Sequence, residues 1–305
     1  DYGKVSAVVA GVLSWQDRGL SAYSPRNRKD LELYRLLRTK GMPEKNGTLL
    51  LDNAATRAGV TAALRKAVAA TGPDTVLLFY YAGHGLKRGD KTFFANYDIN
   101  AAQPEQTGLD LQALARIIAD GFKGRLVILL ADCCYSGGLK QAAALIAAKG
   151  KAAVSLTSAD ASNASTGNWT FTQTIIDCLS GLSLADHDRD GRVSLAETAR
   201  EVGRAMKYRE RQRHGYGSWN IAGTLVLSRT VTGPNPAPLP LGDTHRVVRL
   251  DDQHAYIDVP ADSPLQPGDM ISLGISHPCT TFDKWKLLYI VDDALIVTGS
   301  VRTYF

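Results

Sequence analysis

The chain has 305 residues, 45% of them hydrophobic and 21% charged, a balance that excludes extensive disorder, a fibrous repeat and a staple-dependent miniprotein. Its net charge of +5 hides a split, because residues 1–230 carry 30 Lys and Arg against 21 Asp and Glu while residues 231–305 carry 5 against 9. Without a run of five or six like charges, ordinary solvated faces are expected rather than a nucleic-acid surface, and no apolar run approaches the roughly 20 residues of a membrane helix.

No basic-then-apolar leader opens the chain, although a start at Asp1 is compatible with residues lost upstream. From there apolar runs alternate with helical patterns. Strands are predicted at 4–13, 48–51, 75–82, 125–131, 152–156 and 223–227, and helices at 28–39, 58–70, 110–120, 138–148 and 170–179. Near-continuous apolar strands separated by helices predict an α/β domain with a mostly parallel sheet flanked by helices on both faces. The stretch TVTGPNPAPLP at 230–240 then packs four prolines together, which stiffens the chain and stops both helix and central strand. The expected organisation is a domain at 1–230, a linker at 231–240 and a second domain at 241–305. In that last part, short β-prone runs at 244–250, 254–259, 270–273, 285–291 and 295–303 predict a small all-β module.

Two of the predicted strands end in bursts of small and reactive residues, VLLFYYAGHG with His84 and RLVILLADCCYSGG with Cys133 and Cys134. The carboxyl edge of an open α/β sheet is where ligands bind. Gly83 and Gly85 allow a sharp turn around His84. A thiol beside an imidazole is the minimum for nucleophilic acyl transfer, since the imidazole takes the thiol proton and later gives it to the leaving amine. Of the four cysteines, Cys133 and Cys134 are adjacent and make poor partners for each other; with Cys178 and Cys279 they are expected as reduced thiols, which points to a cytosolic setting.

YAGHG and DCCYSGG resemble the histidine and cysteine motifs of caspase-like and metacaspase-like cysteine peptidases, over residues 4–228. The resemblance implies Cys134 as nucleophile, His84 as general base and acid, and the N–H groups of Gly85 and Cys134 as the oxyanion donors. It also implies protein or peptide substrates and a carboxylate, Asp132, that selects Arg or Lys at the scissile bond, with Asp30 as a second acidic residue of that pocket. Ala82 departs from the serine that many metacaspases have there. Trp169, in the stretch 158–173, is a candidate pocket wall and equally a core residue. Lys140, Lys149 and Lys151 follow the nucleophile, where related enzymes are often cut by themselves.

DHDRDGRVSLAE at 186–197 fits a twelve-residue EF-hand loop. On that reading Asp186, Asp188, Asp190, the Arg192 carbonyl, Ser194 and Glu197 are calcium ligands. The competing reading is a helix start, with Ser194 and Glu197 as a capping box. The basic run that follows, to residue 213, reads as a solvated helix.

Residues 267–305 resemble the C-terminal β-domain of D-serine dehydratase-like and D-threonine aldolase-like enzymes, with the likeness beginning near Asp251. The resemblance implies zinc at His277 and Cys279. The barrel that carries the cofactor lysine in that family is absent from this chain, so no pyridoxal phosphate is expected. Two other function classes compete with a peptidase: a catalytically silent caspase-fold scaffold, and a fragment of a pyridoxal-phosphate lyase. Oligomeric state is left open.

Overall fold

Alternation along one strand shows how the core forms. In VLLFYYA, residues 76–82, Leu77, Phe79 and Tyr81 face one layer of helices while Val76, Leu78, Tyr80 and Ala82 face the other, because successive side chains of a strand point to opposite faces. All seven are buried. Removing each larger side chain from water is worth about 1.5–3 kcal/mol.

The computed structural model describes residues 1–160, 168–181, 185–188, 190–230, 245–250, 255–261, 263, 287–291 and 297–302. In chain order the elements are β1 (Val5–Gly11), α1 (Lys29–Thr39), β2 (Gly47–Leu51), α2 (Arg57–Ala69), β3 (Val76–Ala82), β4 (Gly85–Arg88), β5 (Lys91–Phe94), α3 (Pro104–Thr107), β6 (Leu109–Asp110), α4 (Leu111–Gly121) and β7 (Leu126–Asp132). Then follow α5 (Leu139–Ala147), β8 (Ala152–Thr157), α6 (Thr170–Ser180), β9 (Arg192–Ser194), α7 (Leu195–Arg209), β10 (Gly215–Trp219), β11 (Val226–Arg229), β12 (Arg246–Leu250), β13 (Ala255–Asp258), β14 (Leu287–Val291) and β15 (Val297–Arg302). They form two compact units, Asp1–Val231 and Thr232–Phe305.

In the first unit a six-stranded sheet runs in the order β2-β1-β3-β7-β8-β10. Its first five strands are parallel and β10 is antiparallel to β8. Helices α2, α4 and α5 cover one face; α1, α6 and α7 cover the other. The expected α/β architecture with helices on both faces is therefore present. One predicted strand is displaced. Residues 223–227 do not join the central sheet; β11 pairs instead with β9, beside the acidic loop. The sixth place goes to β10, GYGSW, whose two glycines weaken any β signal. The hairpin β4–β5 also escaped prediction, and it matters for the site because it begins at Gly85.

In the second unit the described residues form two antiparallel pairs, β12–β13 and β14–β15. The predicted strand at 270–273 and the linker 231–240 lie outside the described residues. Among the described residues no helix is long and apolar enough to cross a membrane.

Candidate active site

Parallel pairing brings the two reactive bursts side by side. Strands β3 and β7 are neighbours in register, Ala82 opposite Asp132, so the next residues of each chain leave the sheet together. Gly83 N–H donates to the Asp132 carbonyl at 3.3 Å. The glycines flanking His84 are both required. Gly83 has a φ of +150°, and a side chain there would lie 2.5 Å from the Tyr81 hydroxyl. A Cβ on Gly85 would fall 1.8 Å from the Cys134 carbonyl oxygen and 3.3 Å from Cys133 Sγ. The histidine loop and the cysteine loop thus pass at a separation only glycine permits.

His84 is held on every side. Its ring lies between Trp15, 4.5 Å away, and Tyr23, 4.7 Å away. Nε2 is 2.8 Å from the Ser21 carbonyl, which only accepts, so Nε2 carries a proton. Nδ1 is 2.8 Å from the Tyr23 hydroxyl. Burial holds the imidazole below its ordinary pKa, with the Ser21 carbonyl opposing the shift. In the neutral ring Nδ1 is the acceptor and the tyrosine donates. The Tyr81 hydroxyl, donating to the His84 carbonyl at 3.0 Å and the Ala95 carbonyl at 2.9 Å, fixes the backbone beneath.

The adjacent thiols are in unlike places. Cys133 is fully buried, and burial pushes its thiol well above the ordinary value. Cys134 is half-buried at the edge. The next residue, Tyr135, adopts a left-handed φ of 53°, and a short turn, Ser136–Gly138, leads into α5. The Ser136 hydroxyl spans to the Ala159 backbone at 3.2 Å and braces that turn.

Asp132 faces a cavity of about 230 Å³ lined by Leu13, Tyr23, Arg26, Gly83, Asn168 and Trp169 among others. Its Oδ2 accepts from the Thr172 hydroxyl at 2.6 Å and the Thr172 N–H at 3.3 Å, in the first turn of α6. Burial pushes its carboxyl up to about 6, against the lowering effect of the Thr172 and Ser158 hydrogen bonds. The helix start and the hydroxyls favour the charged form and keep the shift from being larger.

The family model described as "Caspase domain" matches residues 28–223. The chain belongs to the caspase-domain family. A second model, described as "Putative serine dehydratase domain", matches residues 198–291. It begins well ahead of Asp251, where that likeness was expected to start, and overlaps the caspase match in a stretch whose β10 lies in the central sheet. No curated protein matches the chain. Among solved structures, the crystal structure of protein GSU0716 from Geobacter sulfurreducens aligns with a TM-score of 0.51 at 15% identity, covering 75% of this chain and 98% of that one. That likeness bears on the fold alone.

Within the caspase domain, His84, Gly85, Cys134, Asp132 and Trp169 gather at one sheet edge. Asp30 is not among the residues lining the cavity. It is completely buried at the start of α1, 2.7 Å from the Arg28 guanidinium, which also pairs with Asp52 and donates to the Gly11 carbonyl. Placing Asp30 in the substrate pocket therefore needs correction, because a neighbouring arginine already occupies its carboxylate. Lys149 sits on the turn after α5, whereas the carbonyls of Ala147 and Lys151 both accept from Asn220.

The acidic loop lies elsewhere in the domain. Asp186, Asp188 and Asp190 offer oxygens within 4.8 Å of one another. Each also accepts a loop N–H: Gly191 to Asp186 at 2.9 Å, Asp190 to Asp188 at 3.2 Å and Arg192 to Asp190 at 2.9 Å. Ser194 and Glu197 form the capping box of α7. Both Glu197 oxygens are engaged, by the N–H groups of His187 and Asp188 and by Ser194. His277 and Cys279 lie outside the described residues.

Sequence reasoning missed Trp15, Ser21, Tyr23 and Thr172. The first three lie in an irregular stretch that leaves β1 at the same edge, and that position is the signal that would have drawn attention to them.

Proposed function

We propose that this caspase-family protein is a cysteine endopeptidase. Caspase-like peptidases act on proteins, and the observation that carries the reading here is the convergence of a half-exposed Cys134, a His84 whose imidazole burial holds below its ordinary pKa, and a cavity lined by Asp132 at adjoining strand ends. Cys134 gives its proton to Nδ1 of His84 as its sulfur bonds to the scissile carbonyl carbon. The imidazolium passes that proton to the departing amine, and water then releases the acyl group and restores the thiol. The oxyanion is held by the N–H groups of Gly85 and Cys134. Asp132 receives the side chain preceding the cut, and a buried carboxylate takes Arg or Lys in preference to an acidic or apolar group. Fluorogenic peptides ending in Arg, Lys or Asp test this: turnover after Arg or Lys, lost in Cys134→Ala, is expected, and turnover after Asp alone would reverse the specificity.

Calcium at 186–197 belongs to the same proposal and is supported by the three clustered aspartates, of which Asp186 Oδ1 is buried with no hydrogen-bond partner among the described residues. The Arg192 carbonyl and Ser194 complete the set of oxygens. Glu197 fits less well, since binding an ion would take it out of the capping box. Isothermal titration with calcium should give a binding heat, and a flat trace would remove the ion from the proposal. Zinc at His277 and Cys279 is tested by metal analysis of the purified protein against Cys279→Ala.

A further inference from the structure

The one basic lone pair of His84 is already occupied. With Nε2 protonated toward Ser21, the neutral ring can receive a proton only at Nδ1, and there the Tyr23 hydroxyl donates at 2.8 Å. A single lone pair cannot accept from tyrosine and take the Cys134 proton together. Tyr23 must leave before the thiol is deprotonated. The same residue also walls the cavity that Asp132 lines, so whatever fills that cavity presses on the group capping the base. The two ends of the tyrosine's environment differ in stiffness. His84 has its carbonyl held by Tyr81 and lies between two glycines that admit no side chain, whereas Tyr23, tied through its N–H to the Leu13 carbonyl, belongs to a stretch without helix or strand whose neighbours Ser24, Pro25 and Arg26 are exposed. Irregular surface stretches give way before strands do.

We infer that Tyr23 is a positioning residue that caps His84 Nδ1 in the substrate-free protein and is displaced when a basic side chain enters the Asp132 cavity, so that filling the pocket releases the catalytic base. Tyr23 lies ahead of the residues matched by the caspase model. The inference rests on the Cys134–His84 reading above and adds to it a coupling between recognition and reactivity. The phenol remains protonated throughout, because burial and the nearby Cys134, Cys133 and Asp132 all raise its pKa. It therefore acts as a hydrogen-bond donor that comes and goes rather than as a proton carrier.

The test is the rate at which iodoacetamide alkylates Cys134, with and without arginine amide as a cavity-filling probe. Alkylation forms the sulfur–carbon bond, expels iodide and sends the thiol proton to His84, yet the reagent is too small to need the cavity. In the unaltered protein, arginine amide should accelerate alkylation. Tyr23→Phe keeps the ring beside Trp15 and His84 and deletes only the hydroxyl. It should alkylate about threefold to tenfold faster without the probe, the equivalent of one hydrogen bond, and gain nothing further from it. In peptide turnover the same variant should lower KM by a larger factor than it changes kcat, a split that a purely structural role would not produce. Tyr23→Phe that alkylates no faster, or responds to arginine amide as fully as the unaltered protein, would overturn the inference. His84→Ala separates the two levels: alkylation independent of His84 removes the catalytic pair itself, whereas dependence on His84 without dependence on Tyr23 removes only the cap.

Discussion

At the carboxyl ends of β3 and β7, polar side chains from distant parts of the chain converge on open space, whereas in the loop 186–197 acidic groups close in sequence turn back on their own backbone. Both regions matched a pattern in the sequence, and they differ in what the fold does with it. Asp132 is braced by Thr172 from a separate helix and still lines a cavity. Glu197 is nearly as well buried, yet its two oxygens go to N–H and hydroxyl groups within ten residues. In the first region long-range elements hold the polar groups toward a vacant volume. In the second, local hydrogen bonds already engage Glu197 and one oxygen of each aspartate.

The contrast can be broken most forcefully at the cleft. Cys134→Ala or His84→Ala should lower peptide turnover by roughly a thousandfold or more, with Cys134→Ala leaving the melting temperature close to that of the unaltered protein. Asp132→Asn should cost on the order of a hundredfold in kcat/KM for Arg and Lys peptides, because the incoming cation loses its buried counter-charge. Iodoacetamide alkylation of that variant should change far less, and equal losses in both assays would show that Asp132 supports the loop rather than the substrate. The pH profile sharpens the same point. A carboxyl held up at about 6 is charged above that value and neutral below it, so kcat/KM for Arg peptides should fall about tenfold per unit as pH drops below it. At Gly85 the expected effect is on both activity and stability, since any Cβ would meet the Cys134 carbonyl. Gly85→Ala should show reduced turnover together with a lower melting temperature. The smallest effect belongs to the acidic loop. Ser194→Ala removes half of the capping box, worth about 1 kcal/mol and a melting shift of about 2–4 °C, with peptide turnover in calcium-free buffer essentially unchanged.

Much of the sheet was legible because its strands are buried on both faces and so read as unbroken apolar runs. The edge was not. GYGSW carries two glycines and takes its place through pairing with β8, far away in sequence, while residues 223–227 look like a core strand but serve β9. The site divides in the same way. His84, Cys134 and Asp132 announce themselves because each follows directly on an apolar strand. Tyr23, Ser21 and Thr172 could not be assigned partners, since their contacts bridge 61, 63 and 40 residues. Asp30 failed for a local reason: the guanidinium two residues before it folds back onto its carboxylate at the start of α1.

Asp52 has a consequence that reaches beyond stability. Its Oδ1 accepts from the Leu13 N–H at 2.8 Å and its Oδ2 pairs with Arg28, so one carboxylate fastens both ends of the stretch that supplies Trp15, Ser21, Tyr23 and Arg26. Along its span the strap has further ties, from the Trp15 indole to the Ala95 carbonyl, from the Gln16 N–H to the Tyr97 carbonyl and from the Ala101 N–H to Asp17. Insertions, deletions or substitutions between the anchors would alter what the cleft accepts and how readily it opens while leaving the sheet untouched. Because Trp15 and Ser21 of this span also hold the His84 ring, such changes would reach His84 as well as the cavity wall.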